Sequence, residues 1–187
     1  MESGFNFYLP LNKSTDGNLV GIASTVSIDR DEERMSERAL KMMVNDIKNL
    51  GVNLFTDHEH KVANIVGAVN DAELIDSQVH VNIITDDPTT NPMVPNILNK
   101  LKRGIKLGLS VGGSVTDQKY EYSKELGKKI KVIDGVKLYE ISVVGIPSNA
   151  DAFVSIPNAI AKSRGKSCPC CYSKTIGAKC SVCFYEV

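Results

Sequence analysis

A chain of 187 residues, 42% apolar and 24% charged, can bury one sizeable core and is too short for two full-sized domains. Its 22 basic and 22 acidic residues cancel, which excludes a uniformly basic nucleic-acid binder. No apolar run reaches the roughly 18 residues of a membrane span, and the opening MESGFNFYLPLNKST carries Glu2 and no apolar stretch of leader length. The expectation is a protein without a membrane partner, made and kept in a cytoplasm-like compartment.

In chain order, Leu19–Ile28 alternates, with Val20, Ile22, Val26 and Ile28 on one parity, and reads as a half-buried strand. The period changes over Ser36–Leu50. There Met35, Ala39, Met42, Met43, Ile47 and Leu50 mark one side of a helix, Ser36 is its N-cap and Gly51 lies just past its end. Val52–Thr56, Asn64–Val69 and Gln78–Thr85 read as strands. Asp86–Pro95 contains three prolines and reads as a loop leading into a short helix, Asn96–Arg103.

Lys106–Thr116 is extended, and the polar stretch Gln118–Lys129 suits a loop or hairpin tip. Lys129–Ile133 and Val136–Ile146 are predicted as two strands separated by a tight turn at Asp134-Gly135. Pro147–Lys166 is rich in Ser, Asn, Ala and Pro and looks like a linker. Many short strands and about two helices, without regular alternation, predict an α+β fold. Its sheet should be mostly antiparallel and barrel-like, with a few flanking helices.

Three segments could carry chemistry. His58 and His60 stand in Thr-Asp-His-Glu-His at the end of an apolar strand; His80 is the third histidine. Residues two apart on an extended chain share a face, so the pair could chelate a metal; one could be a general base; or both could be exposed turn residues. Gly108-Leu-Ser110-Val-Gly112 matches the G-x-S-x-G nucleophile pattern. An α/β-hydrolase is excluded, because that fold places its histidine after the serine and all three histidines here precede it. The plainer alternative is a serine filling a glycine-rich strand beside a close backbone approach. Glu140 interrupts the apolar strand Leu138–Val144, where a carboxylate needs a partner or sits in a sheet-edge ion pair.

Together with Gly21-Ile-Ala-Ser-Thr-Val-Ser-Ile-Asp29-Arg30, these segments resemble the prohead (capsid-maturation) proteases of tailed bacteriophages, relatives of the herpesvirus assemblins. The family landmarks recur in order over about residues 19–153. They are the G-x-A-S strand ending in Asp-Arg, the histidine after an apolar strand, the L-S-x-G segment, and Glu140-Ile-Ser142-Val-Val-Gly-Ile-Pro147-Ser-Asn149-Ala-Asp-Ala152. The resemblance implies an assemblin-like fold and a serine endopeptidase with Ser110 as nucleophile, His58 as general base and Glu140 as third member. It implies action inside the prohead and host cytoplasm on the major capsid protein, on scaffold, and on itself. Because the herpesvirus relatives use a second histidine, His80 is a rival to Glu140. The glycines after Ser110 leave backbone N–H groups that could approach an oxyanion.

The tail reads as a separate object. All five cysteines lie between Cys168 and Cys183, and residues 157–187 hold five basic residues against one acid. Cys168, Cys171, Cys180 and Cys183 form two CxxC pairs, a four-thiolate zinc set, with Cys170 the odd one out. The plainer alternatives are a disordered or redox-active tail. The expected organisation is a body at 1–155, a linker at 156–167 and a zinc-knuckle tail at 168–187. The basic tail is a candidate for nucleic-acid contact. The rival to an enzyme is a catalytically inactive scaffold- or capsid-binding protein with the same zinc tail. A further reading is a metalloenzyme built on His58 and His60.

Overall fold

The computed structural model describes residues 18–157, together with the backbone of 175–176 and 179–180. Eight strands of the body form one curled sheet. They are β1 (Asn18–Thr25), β2 (Glu33–Met35), β3 (Val52–Thr56), β4 (Ile65–Ile75), β5 (Gln78–Thr85), β6 (Gly108–Ser123), β7 (Lys128–Val144) and β8 (Phe153–Ser155). Their order is β2-β7-β3-β4-β5-β1-β8, with β6 on the other side of β7. Most pairs are antiparallel; β2 and β3 run parallel to β7. A single bridge between Leu107, just before β6, and Val154 of β8 brings the two edges of the curled sheet together at one point. The result is a mixed α/β half-barrel. No helix among the described residues is long and apolar enough to cross a membrane.

Helix α1 (Glu37–Leu50) begins where expected: Ser36 accepts the N–H of Ala39 at 3.1 Å, and Gly51 ends the helix with φ +65°. Its buried stripe is Ala39, Leu40, Met43, Val44 and Ile47, rotated from the expected one. Leu50 is exposed and Met42 only half-buried. Helix α2 (Met93–Lys102) starts three residues earlier than predicted. Pro95 falls in the first turn, where its missing N–H leaves no helical bond unmade. Both helices pack apolar residues into the core that fills the curl, with Leu54, Val69, Leu109 and Ile141 fully buried there.

Two local expectations are corrected. No turn forms at Asp134-Gly135; β7 runs straight through it as one strand of 17 residues. A Cβ on Gly135 would lie 2.6 Å from Thr116 Oγ1 and 3.0 Å from Asp117 Cβ, so the glycine serves a close cross-strand approach beside a bulge in β6. The hairpin instead turns after Ser123, where Gly127 supplies φ +65°. The polar stretch read as a tip is largely strand, with Tyr120 and Tyr122 exposed along it. Second, the beginning of the apparent linker is structured. Phe153–Ser155 pairs with β1, and Ile156 packs against the core.

The described part of the tail is a two-stranded antiparallel ladder, β9 (Thr175–Ile176) with β10 (Lys179–Cys180). Cys168, Cys171 and Cys183 lie outside the described residues, as do Cys170 and residues 158–167. Replacing the helix cap, Ser36→Ala, should cost about 1 kcal/mol of stability. Urea unfolding followed by circular dichroism measures it, with no change in slope expected.

Candidate active site

The site grows from the register of three adjacent strands. β7 lies between β6 and β3: Ser142 pairs with Ser110 on one side and Phe55 on the other, and Glu140 pairs with Gly112 and Asn53. Ladder partners share a face, and residues two apart on a strand share it too. Ser110, Gly112, Glu140 and Ser142 therefore lie on one face of the sheet, while Leu109, Ile141 and Val143 enter the core on the other.

Beyond β3 the chain turns sharply. Asp57 and His58 both adopt left-handed backbone, φ 51° and 58°, a conformation in which Asp and His are enriched among non-glycine residues. The turn is fastened by N–H donations from Asp57 to the Val143 carbonyl at 3.0 Å, from Glu59 to Thr56 at 3.0 Å, and from His58 to Ser142 Oγ at 3.2 Å. His58 is thereby folded back over Glu140. Its Nδ1 lies 2.6 Å from Glu140 Oε1, and about 40% of the side chain remains exposed. Nδ1 donating to a carboxylate leaves Nε2 as the acceptor of the ring.

Glu140 is 2% exposed, so the sheet-edge ion pair is not what forms. Its second oxygen, Oε2, accepts the hydroxyl of Ser142 at 2.7 Å, and His60 Nε2 stands 3.5 Å from Oε1. The His60 ring packs edge-on against Phe55, centroids 5.4 Å apart. Gly112 makes room for all this: a Cβ there would overlap Glu140 Oε1 and lie 2.9 Å from Cδ. Packing against β7 thus accounts for Gly112 and Gly113, the latter abutting the Lys137 carbonyl.

The structure brings His58 and Glu140 together and sets Ser110 on the neighbouring strand, cross-strand partner of Ser142. Directly opposed residues have Cβ atoms about 5 Å apart. No hydrogen bond joins Ser110 to His58 among the described residues. His80 lies elsewhere. It pairs with Glu73, eight residues along β4 from Ile65, the partner of Phe55 beside the His58 turn. Burial pushes the His80 ring below its ordinary pKa, against the opposing pull of Asp76 and Glu73. No group of three or more His, Cys, Asp or Glu among the described residues is arranged to hold a metal, which gives the metalloenzyme reading no support.

Beside Ser110 opens a cleft of about 180 Å³, lined by Ser24, Thr25, Asp29, Arg34 and Asn149 among others. Its wall joins two distant segments. Asn149 Nδ2 donates to Thr25 Oγ1 at 3.0 Å, Ser148 Oγ to Asp31 at 2.7 Å, and Ser27 Oγ to Asp151 at 2.6 Å. The Arg30 guanidinium donates to the carbonyls of Pro147 and Ser148. Asp29 closes the loop from within, accepting the N–H groups of Asp31 and Glu33 at 3.0 and 2.9 Å; burial raises its carboxyl above the usual range despite these bonds. The part played by Ser142 has no mark of its own in the sequence, but the two-residue spacings Ser110/Gly112 and Glu140/Ser142 put all four residues on one face once the strands pair.

The chain is similar to known proteins in sequence and in fold. The prohead protease of Escherichia phage T5 is 24% identical over 144 residues, which cover 75% of this chain and 62% of that relative's length. The structure of the bacteriophage T4 capsid assembly protease superposes with a TM-score of 0.52 at 16% identity, covering 68% of this chain and 80% of the other; at that identity the likeness is one of fold. The KSHV protease gives a TM-score of 0.46 at 8% identity over 73% of this chain and 63% of its own. The sequence pattern of the caudovirus prohead serine proteases matches residues 16–166, most of the chain, and this protein belongs to that family.

Proposed function

We propose that the chain is a serine endopeptidase of prohead maturation, with Ser110 as nucleophile, His58 as general base and Glu140 as the acid that orients it. The observation that carries the reading is the 2.6 Å bond from His58 Nδ1 to a buried carboxylate, with Ser110 one strand away on the same face. A serine hydroxyl is a weak nucleophile until a base takes its proton. His58 Nε2 removes that proton as Ser110 Oγ attacks the scissile carbonyl, and Glu140 stabilises the imidazolium that forms. His58 then protonates the leaving amine; water, deprotonated by the same ring, releases the acyl group from Ser110. The substrates proposed are the capsid protein's scaffolding segment, scaffold, and the protease itself, inside the prohead assembled in the host cytoplasm.

The tail is proposed to bind one structural zinc through Cys168, Cys171, Cys180 and Cys183. The β9–β10 ladder supports this, because it folds the chain back between the two CxxC pairs. Bound zinc would tie the thiolates into a small unit whose folding depends on the metal.

Ser110→Ala should abolish processing of co-expressed capsid protein while the protein stays folded; continued processing would overturn the assignment. Glu140→Gln should keep the shape and lower kcat on the order of 10³- to 10⁴-fold. Gly112→Ala should displace the carboxylate and cost on the order of 10²-fold in kcat. Chelation should remove one zinc per chain, measured by mass spectrometry under native conditions, and leave labelling of Ser110 by a fluorophosphonate probe intact. Loss of labelling on chelation would show that the tail belongs to the catalytic fold.

A further inference from the structure

Ser142 is fully buried, and its hydroxyl touches both halves of the proposed base. The hydroxyl can donate once and accept twice. It donates to Glu140 Oε2 at 2.7 Å and accepts the backbone N–H of His58 at 3.2 Å. The bond between His58 and Glu140 closes a ring: His58 amide, Ser142 hydroxyl, Glu140 carboxylate, His58 imidazole.

Two effects follow from that ring. The first is geometric. His58 sits past the end of β3 in left-handed backbone, outside any ladder, and the Ser142 hydroxyl is the acceptor of its amide. The second concerns the carboxylate. The titratable groups facing Glu140 are His58 and His60; β6 presents Ser110 and Gly112, and β3 presents Asn53 and Phe55, all uncharged. The hydroxyl of Ser142 is therefore the neutral donor that occupies Oε2 and fixes the carboxylate with Oε1 toward the His58 ring.

We propose that Ser142 is a positioning residue, fixing the His58 turn and the orientation of the Glu140 carboxylate against the His58 ring. The inference rests on the proposed roles of His58 and Glu140. The test uses the full chain and a fluorophosphonate, whose phosphorus forms a bond to Ser110 Oγ as fluoride leaves and His58 takes the serine proton. In Ser142→Ala the maximal labelling rate should fall roughly tenfold to a hundredfold, with the half-saturating probe concentration unchanged within about twofold. Ser142→Thr, which keeps the hydroxyl, should label within about threefold of the wild type.

A second readout needs no activity. The low-field proton resonance of His58 Nδ1 should persist in the wild type and in Ser142→Thr and broaden away in Ser142→Ala. A wild-type rate in Ser142→Ala, or equal losses in both variants, would overturn the proposal. If the wild type does not label at Ser110, the endopeptidase reading fails instead. The resonance then decides the role of Ser142 alone, and its survival in Ser142→Ala overturns it.

Discussion

A carboxylate buried in the middle of a sheet is the constraint around which this molecule is arranged. An ionised group withdrawn from water costs several kcal/mol unless charge and hydrogen bonds replace its hydration. Glu140, 2% exposed, meets that demand with the ring of His58, the hydroxyl of Ser142 and the nearby ring of His60. Each comes from a fixed place: His58 and His60 from the turn after β3, Ser142 from β7 itself. The space for the carboxylate comes from a fourth place, the missing side chain of Gly112 on β6. The same contacts that satisfy the carboxylate hold the imidazole in one tautomer with Nε2 free. Satisfying the buried carboxylate and orienting the imidazole are one structural solution.

Around this centre a second set of contacts holds the wall next to Ser110. The segment after β1 and the segment after β7 are more than a hundred residues apart, yet they are cross-linked by Asn149, Ser148, Arg30 and the Ser27–Asp151 pair. These are side chain and carbonyl bonds between irregular stretches, which by themselves would be marginal against the entropy of ordering a loop. They hold because both segments are already anchored: β1 pairs with β8, and β8 meets the start of β6 through Leu107 and Val154. Closure of the curled sheet therefore supports the cleft wall.

The sequence made local features legible where one residue's chemistry decides the outcome. Ser36 caps a helix because its hydroxyl satisfies an orphan N–H, and the strands at 52–56 and 78–85 alternate because one face is buried. His58, Ser110 and Glu140 stood out by residue type and by resemblance. What the sequence hid were the partners. Asp134-Gly135 has the composition of a hairpin turn, but the glycine there answers to Thr116 and Asp117 across the ladder. β2 is three residues long and exists because it lies parallel to β7 at Lys131–Ile133. Leu50 fits the apolar period of α1 and yet faces solvent, since the sheet beneath the helix sets the stripe. Register, the property that puts Ser142 beside both His58 and Ser110, is a relation between strands and has no signature within either one.

Register also sets when the site can exist. The β6–β7 hairpin alone pairs Ser110 with Ser142 and Gly112 with Glu140, contacts between consecutive strands. It lacks His58, which arrives only when β3 pairs parallel to β7, and that pairing must close over β4, β5, α2 and β6, all of which lie between them in the chain. Parallel pairing of such separation bears a large loop-closure cost that is repaid only when the intervening elements pack. β4 supplies the repayment, because it pairs with β3 on the side away from β7 and with β5 beyond. Core residues Leu54, Val69 and Ile141, one from each of β3, β4 and β7, are fully buried together where the strands join. The bond from His58 to Glu140 is therefore a product of the completed sheet, and neither the hairpin nor the β3–β5 meander can form it alone.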